Sequence, residues 1–318
     1  MANTLKFYFF RRKQLLIFFG FLIFIYTCAC SFLFAHQRYL IFRPSPELQT
    51  LPSSPEVKKV RIPITNSKSE YLSGWWFDAP LSEEKINVAT NEPAKNVVTN
   101  EPAKIVRSPK TILYFCGAAG NKSFRSQVKK FEELRKLGFS VLVIDYRGFG
   151  ESEGKQYPNE SQFYQDSQTA WNYLVKNRNI QPKDIVIYGE SLGGAIAIDL
   201  AVKHPEVGGL IIQSSFTSMA KTIKHHNLFS LFPVDLLLTQ RFNSISKVPY
   251  LKVPVLFIHG TADTVVPYQM SKELHDAAPV PKKLLLIPQV GHFDVYENSS
   301  TSYLRGIKKF TKGIESRQ

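Results

Sequence analysis

Asp184-Ile-Val-Ile-Tyr-Gly-Glu-Ser-Leu-Gly-Gly-Ala-Ile-Ala-Ile-Asp-Leu-Ala201 decides the fold. A short apolar run rich in β-branched residues leads into Gly189-Glu190-Ser191-Leu192-Gly193, and helix-forming Ala, Ile and Leu follow. Strand, G-x-S-x-G, helix is the context that turns a common pentapeptide into a nucleophile elbow. A serine on so sharp a turn is strained, and its neighbours must lack side chains for the backbones to approach. The bland alternative is a glycine-rich turn closing a strand, in a chain that holds 17 glycines. The runs on both sides argue for the elbow and make Ser191 a candidate nucleophile.

Outward from this stretch the pattern alternates. Strands are expected at 57–64, 71–79, 111–115, 139–145, 210–213, 253–259 and 283–287. Helices are expected at 124–137, 162–176, 267–277 and 302–310. Short, nearly all-apolar strands between amphipathic helices predict an α/β domain over 57–318, with a mostly parallel central sheet covered by helices on both faces. Residues 81–109 interrupt the pattern with a polar stretch in which Thr90-Asn-Glu-Pro-Ala-Lys95 recurs as Thr99-Asn-Glu-Pro-Ala-Lys104. Two copies are too few for a solenoid, and the stretch is expected to be a flexible surface insertion.

A serine hydroxyl is a poor nucleophile until a base takes its proton and an acid orients that base. Asp263 stands just past the strand at 253–259. His292 stands just past the strand at 283–287, in Val290-Gly291-His292. The order Ser, acid, His, with both partners on loops after later strands, is that of an elbow-type hydrolase. Each partner has a plainer reading: Asp263 as a turn residue before Pro267, His292 as an exposed loop histidine. The other histidines fit the base less well. His36 borders the apolar N-terminal run, His204 precedes Pro205, and His225 and His226 point about 100° apart on a helix. His259 is expected to pack or hydrogen-bond beside the acid turn. An oxyanion hole needs backbone N–H groups, for which the candidates are Leu192, next to the nucleophile, and Ala118, in the small-residue loop Cys116-Gly117-Ala118-Ala119-Gly120-Asn121. A phosphate cradle would need a Lys-Ser/Thr ending, which this loop lacks. Nothing in the sequence calls for a cofactor or a metal.

Further motifs carry a family resemblance over residues 57–315. They are Asp145-Tyr-Arg-Gly-Phe-Gly-Glu-Ser-Glu-Gly154, Ser214-Ser-Phe-Thr-Ser218, Val265-Val-Pro267 and Leu284-Leu-Leu-Ile-Pro288. With the elbow, they resemble membrane-tethered proteins of the α/β-hydrolase superfamily. The resemblance implies the α/β-hydrolase fold, a triad of Ser191, Asp263 and His292, and a structural role for Asp145. Similar proteins carry His-Gly where this chain has Cys116-Gly117, and Cys116 is read as a packing residue rather than a second nucleophile.

Composition sets the remaining bounds. The chain has 318 residues, 44% of them hydrophobic, and only three cysteines, so packing rather than disulfides must hold it. The net charge is +14, yet no nucleic-acid-binding module is present and nucleic acid is not an expected partner. The membrane is. Residues 15–35 are uncharged and would span about 31 Å as a helix, close to the hydrocarbon thickness. A cleaved signal peptide is the rival, but the run is long and no A-x-A site follows. Thr27-Cys28-Ala29-Cys30 resembles a lipoprotein site in which Thr replaces the aliphatic residue. The reading is an uncleaved signal anchor preceded by a cytoplasmic basic tail, residues 1–14. Lys6, Arg11, Arg12 and Lys13 keep the N-terminus inside and place the domain on the far side.

Residues 36–56, with four prolines, are expected to form an extended linker. Residues 216–248 occupy the position of a lid, apolar enough to line an acyl pocket and equally able to pack as an ordinary helix. The function expected is hydrolysis of carboxylic esters or thioesters through an acyl-enzyme, with a long-acyl or lipid-like substrate. A serine peptidase and a non-catalytic hydrolase-like binding protein are the alternatives.

Overall fold

The computed structural model describes residues 2–53, 57–64, 69–80, 110–124, 126–154, 157–226, 229 and 231–315, without the side chains of residues 2–9 and 315. The expected insertion at 81–109 lies outside the described residues.

Eight strands form the main sheet: β2 (Val57–Pro63), β3 (Tyr71–Phe77), β4 (Thr111–Phe115), β6 (Ser140–Ile144), β7 (Ile185–Glu190), β8 (Gly209–Gln213), β9 (Val255–Gly260) and β10 (Lys282–Ile287). Their order is β10-β9-β8-β7-β4-β6-β3-β2. From β6 to β10 every pairing is parallel, and β3 runs antiparallel to both β6 and β2. β4, β6 and β7 are buried along their whole lengths. That is why their sequences read as continuous apolar runs rather than alternations.

Helices close both faces. α3 (Glu160–Asn172) and α4 (Leu192–Lys203) cover one, where Leu113, Ile187 and Ile212 meet Phe163 and Ile196. α2 (Gln127–Lys136) and α8 (Ser300–Glu315) cover the other, where Tyr114, Val186 and Tyr188 meet Phe131 and Phe310. α7 (Tyr268–Ala277) completes the set. The expected helix at 162–176 starts two residues early. Asn159 accepts from the Gln162 N–H while the Gln162 side chain accepts from the Asn159 N–H, a capping box that fixes the start.

The N-terminal region departs from expectation. One helix, α1, runs Ala2–Ile41, so residues 2–14 are helical and the helix continues past residue 35. After it, β1 (Arg43–Pro44) pairs in parallel with β5 (Ala119–Gly120). Residues 36–44 are therefore docked, and the expected extended linker does not begin at residue 36. The physical reason is Phe42. It is fully buried and packs its ring against Phe163 and Phe242, which draws the end of α1 onto the domain. The chain between 216 and 248 forms α5 (Met219–His225) and α6 (Val234–Leu237), short helices that the sequence pattern does not resolve.

One buried charge cluster braces the sheet. The Lys122 ammonium, wholly buried, donates to Asp145, Glu151 and Ser73. Asp145 also accepts from the backbone N–H groups of Lys122 and Glu151. This matches the structural role implied for Asp145. Lys122→Met is expected to leave the Asp145 carboxyl buried without its cation, a loss of about 3–5 kcal/mol. Denaturant unfolding of the detergent-solubilised chain would measure it.

Candidate active site

β7 delivers Ser191 to the middle of the sheet's carboxyl edge, the usual place for a ligand crevice in an open α/β sheet. Ser191 sits at φ 54° and ψ −118°, strained for a residue with a side chain. Its N–H donates to the Gln213 carbonyl at 2.9 Å, and its own carbonyl accepts from Gly194 N–H and Ser215 Oγ. The turn closes only because its flanks are glycine. A Cβ on Gly189 would stand 2.2 Å from the Gly193 oxygen, and one on Gly193 would stand 2.1 Å from the Phe115 oxygen.

The loops after β9 and β10 bring the other two residues to it. His292 Nε2 lies 3.1 Å from Ser191 Oγ, and His292 Nδ1 lies 2.7 Å from Asp263 Oδ2. Asp263 and His292 are both nearly buried, so this chain of contacts is largely shielded from water. A carboxylate only accepts, so Nδ1 carries the proton and Nε2 is left as an acceptor facing the serine hydroxyl.

Asp263 is held on every side. Its Oδ1 accepts from the Val265 and Val266 N–H groups at 2.9 and 2.8 Å. Its Oδ2 also takes a second imidazole, His259, whose Nε2 lies 3.0 Å away and is shared with the Val266 carbonyl. The Ser271 hydroxyl contacts His259 Nδ1 at 2.6 Å. Burial pushes the Asp263 carboxyl up, but hydrogen bonds from His259 and His292 outweigh it and hold the group well below the carboxylate range. The sequence marked His259 only as packing or bonding near the turn. No spacing rule marks the contact: His259 sits at the end of β9 and the turn after the strand folds Asp263 back onto it.

The loop 116–118 passes directly against the nucleophile. A Cβ on Gly117 would lie 3.5 Å from Ser191 Cβ, and Gly117, Ala118 and Leu192 all line the same cavity. The Tyr146 hydroxyl donates to the Cys116 carbonyl at 3.0 Å and steadies the loop. Burial pushes the Cys116 thiol far up, so it stays protonated and packs rather than reacts.

Beneath the elbow, Glu190 forms an ion pair with Lys130 at 2.8 Å and accepts from Gln127 and Tyr114. No local pattern marks this cluster, because Lys130 reaches Glu190 from α2, 60 residues away. The cavity above it holds about 530 Å³. Its apolar walls include Leu33, Leu40 and Ile41 of α1, Phe216, Met219, Phe229, Phe232 and Leu237 of the 216–248 segment, Phe124, Leu192, Val265 and Val266, and Phe293 beside His292.

The family described as "Serine aminopeptidase, S33" matches residues 107–243. An uncharacterized protein of Mycobacterium tuberculosis (strain CDC 1551 / Oshkosh) is 30% identical over 282 residues, spanning 88% of this chain and 89% of that one. Lysophosphatidylserine lipase ABHD12 of Danio rerio is 33% identical over 192 residues, covering 56% of this chain and 49% of its own. Among solved structures, a Pyrococcus furiosus esterase superposes with a TM-score of 0.66 at 20% identity, over 86% of this chain and 98% of that one. At that identity the likeness is one of fold.

Burial pushes the Glu190 carboxyl up, but the Lys130 charge and the surrounding donors bring it down to about 2, below its ordinary 4.5. A depressed carboxyl contributes stability that is complete above its unfolded value and lost as pH falls through the folded one. The difference in unfolding free energy between the parent chain and Glu190→Gln is therefore expected to narrow as pH falls from 4.5 towards 2. Unfolding curves at a series of pH values check it, and a pH-independent difference would reject the ion pair as its source.

Proposed function

The chain belongs to the α/β-hydrolase family, and we propose that it is a membrane-anchored serine hydrolase cleaving carboxylic esters or thioesters through an acyl-enzyme on Ser191. The observation that carries this reading is the continuous path from Ser191 Oγ through His292 to Asp263, at the wall of one apolar cavity.

The chemistry follows from the geometry. As Ser191 Oγ attacks the acyl carbonyl, His292 Nε2 takes the hydroxyl proton. Asp263, already ionised, stabilises the imidazolium that forms and keeps its ring in place. Negative charge then grows on the carbonyl oxygen, where the Leu192 and Ala118 N–H groups are the assigned donors. Collapse expels the alcohol or thiol, which leaves with the proton from Nε2. Water then repeats the cycle: His292 Nε2 takes its proton as the water oxygen bonds to the acyl carbon, the bond to Ser191 Oγ breaks as Nε2 returns the proton to that oxygen, and the carboxylic acid departs.

The cavity walls favour a long acyl group, since aliphatic and aromatic side chains surround most of the space beside Ser191. A serine peptidase is the second reading, favoured by the description of the matching family. An aminopeptidase has to bind a free substrate ammonium with an acid. Among the described residues lining the cavity the one acid is Glu190, and Lys130 already occupies it. An ester or thioester suits this lining better. Helix α1 is assigned as the anchor: Phe10–Ile41 is the helix among the described residues long and apolar enough to cross a membrane. The basic cluster Arg11-Arg12-Lys13 puts its start in the cytoplasm and the domain on the other side.

Ser191→Ala is expected to abolish labelling of the folded chain by a fluorophosphonate probe. Labelling that persists in that variant, or parent protein that never labels, would reject the acyl-enzyme and leave a binding role. Asp263→Asn should retain the fold yet lower kcat by about 10⁴-fold, because the wrong imidazole tautomer then faces the serine. Across a series of acyl esters, kcat/KM should rise with chain length, and a preference for two-carbon acyl groups would reject the long-acyl assignment.

A further inference from the structure

The anchor helix and the 216–248 segment touch at a level that has a consequence for both. Counting 1.5 Å per residue from Lys13, the last base before the apolar run, Tyr26 stands about 20 Å up the helix and Gln37 about 36 Å. A hydrocarbon core of about 30 Å therefore ends near Leu33, leaving Gln37 among headgroups and Tyr26 about 10 Å inside the lipid. Tilting the helix places Tyr26 deeper still.

The 231–239 chain follows the helix down through that boundary. At the top, the Gln37 side chain accepts from the Thr239 N–H at 2.7 Å and donates to the Leu237 carbonyl at 3.2 Å. Lower down, the Tyr26 ring stacks on Phe232 with centroids 5.8 Å apart, and its hydroxyl donates to the Leu231 carbonyl at 3.1 Å. Leu231 and Leu236 project outward, 76% and 82% exposed. They are the two most exposed large apolar side chains of the described residues.

Backbone in hydrocarbon needs its polar groups met from within. Here the N–H groups of Phe232, Val234, Leu236, Leu237 and Leu238 all donate to carbonyls of the same segment, and Pro233 has none to satisfy. Asp235, the charge next to Leu236, pairs with Lys224 while both stay largely exposed, and it stands near the Leu237–Gln37 contact, at headgroup level.

We propose that residues 231–237 insert into the leaflet on the domain's side, packed against α1, so that the cavity of Ser191 takes its acyl chain directly from the bilayer. The occupant of this apolar face is lipid, because the face continues the surface of the helix assigned to the membrane. Cavity walls at Leu33 and Phe232 then stand at the edge of the hydrocarbon. The proposal rests on the anchor and on the hydrolase reading, and its test separates it from each.

Leu231→Trp and Leu236→Trp are made in the full chain and reconstituted in phosphatidylcholine vesicles whose acyl chains are dibrominated, with Phe21→Trp as the mid-span reference. The native indoles, Trp75, Trp76 and Trp171, are buried in the domain and provide the unquenched baseline. The added indole should lose emission at 231 and 236 as it does at 21. Quenching at 21 alone overturns insertion while the anchor stands. Quenching at none of the three overturns both. Fluorophosphonate labelling of the same samples reports Ser191 independently: labelled protein unquenched at 231 and 236 keeps the hydrolase and loses the insertion, and quenched, unlabelled protein does the opposite. With a long-chain ester at fixed total concentration, the rate should fall in proportion as inert lipid dilutes its mole fraction. A rate that ignores mole fraction overturns delivery from the bilayer.

Discussion

The turn at Ser191 is the constraint on which the rest depends. A non-glycine residue held at φ 54° stores strain of order 1–3 kcal/mol, and the surroundings must over-determine it. They do so by close backbone contact. β7 and α4 pass within a missing Cβ of each other at Gly189, and α4 meets the β4 loop the same way at Gly193. The contact that makes the turn possible also brings the 116–118 loop against the serine. Strain, sheet order and the placing of the 116–118 loop are thus one arrangement. A side chain at either glycine would separate all three.

Charge is handled differently on the two sides of the elbow. Glu190, beneath it, is neutralised by a full ion pair with Lys130. Among the described residues Asp263 pairs with no Lys or Arg and is kept ionised by four donors, two backbone N–H groups and two imidazoles. The difference matters for a base. A permanent cation beside Asp263 would satisfy its charge and weaken its hold on the imidazolium of His292. His259, fixed by Ser271 and the Val266 carbonyl, holds the carboxylate in place from its other side.

Much of this was legible in the sequence, for physical reasons. Strain at Ser191 demands glycine at fixed offsets, so the elbow leaves a signature. Parallel strands buried on both faces read as apolar runs, so the sheet could be drawn and the loops bearing Asp263 and His292 located. Other features left no local trace. The docking of residues 36–44 depends on Phe42 meeting Phe163 and Phe242, and on Gln37 meeting Thr239 from 202 residues away. Prolines at 44 and 46 suggested a free linker, and a tertiary contact overrode them. α5 and α6 are seven and four residues long, too short for a helical period to show. Lys130 reads as one charge on an amphipathic helix until the fold brings Glu190 to it.

The docking of α1 also ties the N-terminal helix to the candidate site. Burying a phenylalanine fully is worth roughly 1.5–3 kcal/mol, and Phe42 does so inside the core that carries α3 and α4. Arg43 and Ser45 add two main-chain hydrogen bonds to the loop at 118–120, the loop that lies against Ser191. The chain that follows α1 is therefore a strand packed on the candidate site rather than a free linker. Leu33, Leu40 and Ile41 go further and close one side of the cavity. A chain cut after the apolar run would lose a wall, a strand and a core residue together. The apolar helix and the candidate site thus form one structure, and the end of α1 is a wall of the cavity beside Ser191.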